Sequence, residues 1–355
     1  MVVWLVLLLY YSLSHVLGTE EQELFNRLGI PEPPRVPSGR KSDPPSFMME
    51  LFKQRSRVLG RGMATSISSF DALDTSQNHE VSEDRWRFAF SISDLEPRET
   101  VTEAHMRIYK VKGSKQKETP YRVNMFHVLE RERSLKSSVS QYYLISPFNS
   151  SLVVRLLDSQ ILESRQSHWV SFDVAEALRA LHELGVQRAM FEIVCTPLNP
   201  IDVAASSRGI RFTKSRGKQP SLIVFSDDGR NDVEEDRDTR NSATLDDTPY
   251  DPSQKHCQRK ELYIDFGRLG WSWIIGPPGF DAFMCSGECA LTFNNKLQIT
   301  NHAYLQAFLE SKHKNVPKPC CSPMKLSPMT LIYYTENGVK MKEYEQMRVE
   351  QCGCE

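Results

Sequence analysis

The sulfur atoms are where this sequence concentrates its chemistry. The chain has eight cysteines, and seven lie after residue 256: Cys257, Cys285, Cys289, Cys320, Cys321, Cys352 and Cys354. Their order is Cys257, 27 residues, Cys285-x3-Cys289, 30 residues, Cys320-Cys321, 30 residues, Cys352-x-Cys354. Structural zinc wants thiolates in pairs such as C-x2-C and a reducing compartment. C-x3-C, C-C and C-x-C do not supply that pattern, so no metal is expected. Cysteines crowded into an exported segment form a disulfide framework. If two bridges join the C-x3-C to the C-x-C, they close an eight-residue covalent ring. A third bridge can thread such a ring when its lining is bare. Gly287 and Gly353 lie on the lining, and glycine has no Cβ and tolerates positive φ. Spacing alone leaves every pairing of six cysteines open. It does establish that seven is odd. One of Cys320 and Cys321 is left over, which points to a bond with another chain across a twofold patch. The sequence offers no set of nucleophile, base and orienting group, so neither catalysis nor a cofactor is expected.

Oxidised cysteines require export, and the first residues supply a signal for it. Val2 to Leu13 is almost wholly apolar, including Trp4, Leu5, Leu7, Leu8 and Leu9. Val16-Leu17-Gly18 places small residues where signal peptidase needs them, so residues 1–18 read as a signal peptide cut after Gly18. The apolar run is too short for a membrane span, and a secreted, extracellular product follows. Asn149-Ser150-Ser151 is then a usable glycosylation sequon at Asn149. A formal charge of −1 over 355 residues gives no footprint for nucleic acid, and the length suits two folded units.

Those units differ in pattern. Residues 20–30 place Leu24, Phe25 and Leu28 on one helical face, with Gly29 as the stop. Pro31, Pro33, Pro34 and Pro37 force an extended stretch. A second helix is predicted from about Pro45, with Phe47, Met48, Leu51 and Phe52 inward and Ser42 or Asp43 as cap. Residues 58–82 read as a polar loop. From Trp86 the period becomes two, and Trp86, Phe88, Phe90 and Ile92 alternate with small or polar residues. Further strands are expected at 104–111, 121–128, 152–157, 169–172, 189–195 and 222–225. A helix over 174–184 carries Ala177, Leu178 and Leu181 inward. Residues 80–225 are thus a strand-rich domain. Residues 226–256 are crowded with aspartate and glutamate and poor in apolar residues, which makes a solvated linker. Inside it, Arg237-x-x-Arg240 is a site for a furin-type protease, which needs exposed, extended backbone. Arg208 to Arg211 matches the same motif on a strand-like run and should resist threading.

Beyond Cys257 the chain resembles the mature domain of the transforming growth factor beta superfamily, nearest the bone morphogenetic protein and nodal groups. The carrying motifs are ELYIDFGRLGW (261–271), CSGEC (285–289), TNHAYLQ (300–306), PCC (319–321) and CGC (352–354). Upstream, PPSFMMELF (44–52), VVRLLDS (153–159), WVSFDV (169–174) and PSLIVF (220–225) resemble bone morphogenetic protein prodomains. The resemblance implies an all-β cystine-knot growth factor at 241–355, with two β-hairpin fingers and one wrist helix. It implies an α+β prodomain at 19–240, with straitjacket-like helices at 20–57, a β-rich arm at 80–225 and an acidic linker at 226–240. The implied bridges are Cys257–Cys321, Cys285–Cys352 and Cys289–Cys354, with Cys320 joining two chains as a homodimer or heterodimer. The implied receptor surfaces are a type I wrist at Trp271, Trp273, Phe293 and His302, and a type II knuckle at Ile332, Tyr333 and Met341. The knuckle residues are expected to be exposed anchors.

The fingers are predicted from alternation at Leu262, Ile264 and Phe266, at 331–334 and at 339–344, with Asn337-Gly338 as a hairpin turn. Thr300 is expected to cap a helix reaching about Glu310, with Ala303, Ala307 and Phe308 on one side. Two features depart from the family pattern. Only Ser272 separates Trp271 from Trp273, and on a strand one deleted residue flips the side chains beyond it unless a bulge disappears. A proline-bearing stretch is replaced by Ala290-Leu291-Thr292-Phe293. The expected function is that of an agonist morphogen acting on type I and type II receptor kinases after the prodomain is removed. Its other partners would be its own prodomain, extracellular antagonists and, at Lys255–Lys260, heparan sulfate. The competing readings are a non-signalling modulator of the same superfamily and a nodal or activin-type agonist.

Overall fold

A computed structural model describes residues 22–30, 44–54, 64–73, 80–82, 84–112, 120–130, 144–145, 152–199, 210–229, 255–289, 298–313 and 315–355. The described residues fall into two compact units. One draws on Met1–Arg35, Asp236–Tyr334 and Lys342–Glu355, the other on Val36–Glu235 and Thr335–Met341. Two helices precede the first strand, α1 (residues 22–28) in the former unit and α2 (Ser46–Lys53) in the latter.

The unit built on Val36–Glu235 holds strands β1 (Ser66–Asp71), β2 (Glu80–Ser82), β3 (Arg85–Ser91), β4 (Thr100–Val111), β5 (Pro120–Glu130), β6 (Leu144–Ile145), β7 (Leu152–Glu163), β8 (His168–Asp173), β9 (Arg188–Pro197), β10 (Arg211–Thr213) and β11 (Ser221–Asp227). One sheet runs β2-β3-β9-β5-β7-β6. In the other, β4 lies between β8 and the β10/β11 side, and β1 pairs with β11. All of these pairs are antiparallel, so period-2 alternation can send every second side chain to one core. Phe70, Met106, Ile108, Phe172 and Val224 from the second sheet share one cluster with Phe88, Phe90, Val123, Phe191 and Ile193 from the first. Helix α3 (Ala175–Glu183) adds Ala177, Leu178 and Leu181 to it. The backbone N–H of Ala175 donates to Asp173 Oδ1 at 2.9 Å, and Gly185 follows with φ 68°, a left-handed stop that glycine adopts without a Cβ penalty.

Three expectations need correction here. The stretch 58–82 is not all loop: β1 and β2 lie within it, and β1 is buried over Ser66–Phe70. Its serines disguise it. Ser66 Oγ donates to Glu99 Oε1 at 3.0 Å and shares a 2.8 Å bond with Ser226 Oγ, so a polar residue sits in the core with its hydrogen bonds met. Strand β7 runs six residues past its expected end, carrying a register shift opposite Met125 and Phe126. Helix α2 is capped by neither Ser42 nor Asp43, because Pro45 occupies the cap position without a side-chain bond.

The other unit carries β12 (Gln258–Lys260), β13 (Tyr263–Asp265), β14 (Ile274–Gly276), β15 (Gly279–Asp281), β16 (Met284–Ser286), β17 (Gln298–Ile299), helix α4 (Asn301–Lys312), β18 (Cys321–Tyr334) and β19 (Gly338–Cys354), of which the residues from Lys342 belong here. Pairs β13–β15 and β18–β19 make two hairpins. The apolar interior is small: Phe25, Ile30, Phe266, Trp271, Trp273, Leu331, Tyr333 and Tyr344. Leu24 and Leu262 were expected to turn inward but stand 42% and 41% exposed. On α1 the inward positions are Phe25 and Leu28, three apart.

Candidate functional site

The knot is built by strand ends. β12 pairs with β16 so that Arg259 faces Cys285, and β17 pairs with β19 so that Ile299 faces Cys354. These registers bring the sulfurs together. The disulfides are Cys257–Cys321, Cys285–Cys352 and Cys289–Cys354, closing separations of 64, 67 and 65 residues. Loops of that length put each bridge at roughly 4 kcal/mol in the chain-entropy account. The Sγ atoms of Cys257, Cys289 and Cys354 lie within 4.8 Å of one another and are buried. All three are bonded in disulfides, so no thiolate is left there to hold a metal. Threading relies on the two glycines. A Cβ on Gly287, at φ 132°, would sit 2.2 Å from His256 O and 2.7 Å from Cys257 N. Cys257 Sγ lies 3.3 Å from Gly353 O.

Cys320 is unbonded and exposed. It is held by a reciprocal backbone pair with the last residue: Cys320 N donates to Glu355 O at 2.8 Å, and Glu355 N donates to Cys320 O at 3.0 Å. Helix α4 begins where its sequence says it should, with Thr300 Oγ1 accepting from Ala303 N at 3.2 Å. Ala303 and Ala307 are buried. Tyr304, Leu305, Phe308 and Leu309 are 45–61% exposed, so Phe308 faces away from the buried alanines. Gln306 Nε2 donates to Pro317 O at 2.9 Å, which ties this helix to the segment leading into Cys320. An exposed apolar helix face and an exposed, fixed thiol, tied through Gln306 and Pro317, are suited to joining two copies.

Trp271 and Trp273 do not lie on a strand. Residues 267–270 and 272–273 are turns, Trp271 N donates to Phe266 O at 2.9 Å, and Gly270 has φ 80°. The strand on which a shortened spacing would flip side chains is therefore absent at 271–273, and both indoles enter one cluster. Trp271 stacks on Phe266 at 5.8 Å and Trp273 meets Tyr333 edge-on at 5.5 Å. Phe25 of α1 covers both, 5.0 Å from Trp271 and 6.1 Å from Trp273. The Trp273 indole N–H is buried and has no hydrogen-bond partner, a cost of about 1–3 kcal/mol. His302 is exposed at the start of α4.

The three knuckle residues are not exposed as expected. Ile332, Tyr333 and Met341 are all 0–1% exposed. Tyr333 packs on Trp273, and its hydroxyl accepts from Tyr344 at 3.1 Å. Met341 folds with the Val36–Glu235 unit, where residues 335–341 are clasped. Asp71 N donates to Asn337 O at 2.9 Å, and Asn337 Nδ2 donates to Asp94 Oδ1 at 2.6 Å. Lys340 Nζ reaches Glu99 Oε1 at 2.7 Å, with both side chains almost wholly buried. A Cβ on Gly338 would lie 1.9 Å from Ser69 O, so only glycine fits. Sequence reading did not find this clasp. Lys340 and Glu99 are 241 residues apart, and nothing local marks either as buried. The pairing of Phe25 with the indoles was missed for the same reason, although the apolar stripe on α1 was visible. Phe293, Arg237, Arg240, Asn149 and residues 1–18 lie outside the described residues. Among the described residues no helix is long and apolar enough to cross a membrane.

The comparisons with known proteins agree with this architecture. Residues 256–354 match the family described as transforming growth factor beta like domain, and residues 14–225 match the TGF-beta propeptide family. The chain is 28% identical over 380 residues to bone morphogenetic protein 2 of Tetraodon nigroviridis, covering 94% of this chain and 88% of the relative. It is 28% identical to bone morphogenetic protein 4 of Mus musculus and 29% identical to that of Rattus norvegicus, in each case over 76% of this chain and 66% of the relative. The chain belongs to the transforming growth factor beta superfamily, as a bone morphogenetic protein-like growth factor precursor carrying its propeptide.

Proposed function

We propose that this chain is exported, cut after Arg240, and released as a disulfide-linked dimer that binds type I and type II serine/threonine kinase receptors. The observation that carries this reading is the exposed, unbonded Cys320 together with the exposed apolar face of Tyr304, Leu305, Phe308 and Leu309. In the dimer that face packs against the second copy, and Cys320 bonds its counterpart. The type I surface comprises Trp271, Trp273, Phe293 and His302. In the precursor Phe25 lies on the two indoles, so receptor access requires α1 to leave. The type II surface comprises Ile332, Tyr333 and Met341, and residues 335–341 must first come free of Asp94 and Glu99. Removal of residues 19–240 is therefore activation as well as processing. Asn149 carries the glycan, and residues 255–260 contribute weakly to heparan sulfate contact. The likeness to bone morphogenetic proteins 2 and 4 favours that signalling branch over the nodal or activin branch.

The test applies the purified, cleaved dimer to receptor-bearing cells that carry separate reporters for the two branches. The expected result is a response of the bone morphogenetic protein reporter at nanomolar dimer. Failure to bind either receptor type would end this reading. A dimer that binds but signals only after residues 271–293 are exchanged for an agonist's would favour the modulator reading.

A further inference from the structure

The antiparallel register of the arm collects positive charge from three distant segments at one end of its sheet. Arg211 of β10 pairs with Val111 of β4, and Lys112 N donates to Ser167 Oγ at 2.7 Å. β8 flanks β4 on its other side, with His168 facing Lys110, so the backbones at 111, 168 and 211 lie within about 10 Å, and 163–167 and 214–218 lead off from them. Lys112, Arg165, Arg211, Lys214, Arg216 and Lys218 are all exposed there. Glu163 is the only acidic residue in the three segments.

The display is built, not incidental. Lys110 is buried and its Nζ donates to the carbonyls of Glu163 and Gln166, which pins the 163–168 segment. A tight turn, closed by Lys218 N donating to Ser215 O at 2.8 Å, presents Arg216 at its tip, and Lys214, just before it, lies with its Nζ 5.6 Å from the Phe88 ring centroid. Gly217 makes that turn with φ 75°. Lys218 Nζ stands 4.1 Å from the centroid of Tyr109, which limits the freedom its side chain loses on binding.

We infer that this end of the arm is a binding site for a sulfated polysaccharide of the extracellular matrix. Exposed cations gathered at one edge make a long-range field for a polyanion. The aromatic rings of the patch are already engaged, Tyr109 under Lys218 and Trp169 against Tyr109 and Arg107. They offer no free face for stacking nucleobases, the feature that single-stranded nucleic acid uses. The chain's own acidic segment is the competing occupant. β11 ends at Asp227, opposite Thr100 and about 20 Å along the strand from Arg107, and neutralising the acidic residues in the experiment below distinguishes that occupant from a polysaccharide. The site is separate from Lys255–Lys260, and it stands whether or not the receptor reading holds.

The experiment measures binding of size-defined heparin fragments to the full secreted precursor across a salt series. Wild type is expected to bind, with affinity falling steeply as salt rises. The K214Q/R216Q/K218Q variant should lose about tenfold or more, while K255Q/K260Q keeps most of the affinity. All three substituted side chains are exposed, so the arm's cooperative melt should be unchanged. If the triple variant loses that melt, R216Q alone is expected to bind about threefold more weakly, and unchanged binding by R216Q overturns the inference. Four further results overturn it: no binding by wild type, wild-type affinity in a folded triple variant, equal affinity for unsulfated hyaluronan, or binding that emerges only when the acidic residues of 230–251 are neutralised.

Discussion

The two units solve the same problem with different forces. The Val36–Glu235 unit buries a continuous aromatic and aliphatic core between two sheets. Its one described cysteine, Cys195, is unbonded and buried, and burial followed by the Asp84 carboxylate keeps its thiol protonated. The unit that carries the knot has a far smaller apolar cluster, and six of its described residues are locked in disulfides. A chain of long hairpins encloses little volume, so hydrophobic burial cannot hold it alone and covalent constraint of the unfolded state takes over. The difference teaches which change each unit tolerates: the arm should ignore reductant and suffer from core truncation, and the growth factor the reverse.

The largest expected effect is that of reduction. With three bridges at roughly 4 kcal/mol each, dithiothreitol should unfold the knot-bearing unit. The arm should keep a cooperative calorimetric transition. A single transition that vanishes entirely on reduction would break the comparison. Next, Phe191→Ala should cost the arm about 3–5 kcal/mol, lower its melting temperature and cut secretion. Disulfide mapping of whatever is secreted should not change.

The third effect is one of pH. Burial and then the Arg155 guanidinium hold His127 down to about 4. An unfolded histidine takes up its proton near 6.5, while the folded one does not until about 4. The unfolded state therefore binds more protons in that window, and arm stability falls as pH drops through it, by roughly 3 kcal/mol. His127→Phe should flatten the acid limb of the arm's melting curve between those two pH values, with no matching change in the knot-bearing unit. The smallest effect is local. Phe25→Ala removes about 2 kcal/mol of burial over Trp271 and Trp273. Indole fluorescence should shift to the red without global unfolding, and an unshifted spectrum would mean that α1 does not cover the wrist.

Much of this fold was legible where side chains alternate strictly. Trp86, Phe88 and Phe90 announce β3, and Thr300 announces α4. Strand β1 was not legible because Ser66, Ser68 and Ser69 read as loop; Ser66 finds its partners Glu99 and Ser226 far along the chain, and the Ser68 and Ser69 hydroxyls are buried without a hydrogen-bond partner. The cysteine spacing pointed to a ring, a thread and one spare sulfur, but the pairing came from the family resemblance and not from counting. Gly287 was readable as a bare lining residue, since threading demands one. The burial of Tyr333 and Met341 was not readable, because it depends on partners distant in sequence: Trp273 against Tyr333, and the Val36–Glu235 unit with which Met341 folds. The turn at 267–273 hid behind an apparent strand motif, and it sets where both indoles point.

The central claim is that the growth factor is a threaded knot with one sulfur reserved for a second copy. Non-reducing peptide mass mapping of the secreted, cleaved protein tests it directly. The account predicts Cys320 bonded to Cys320 of another chain and the other six cysteines bonded within each chain. Recovery of Cys320 as a free thiol, or bridged to a cysteine of its own chain, would contradict it.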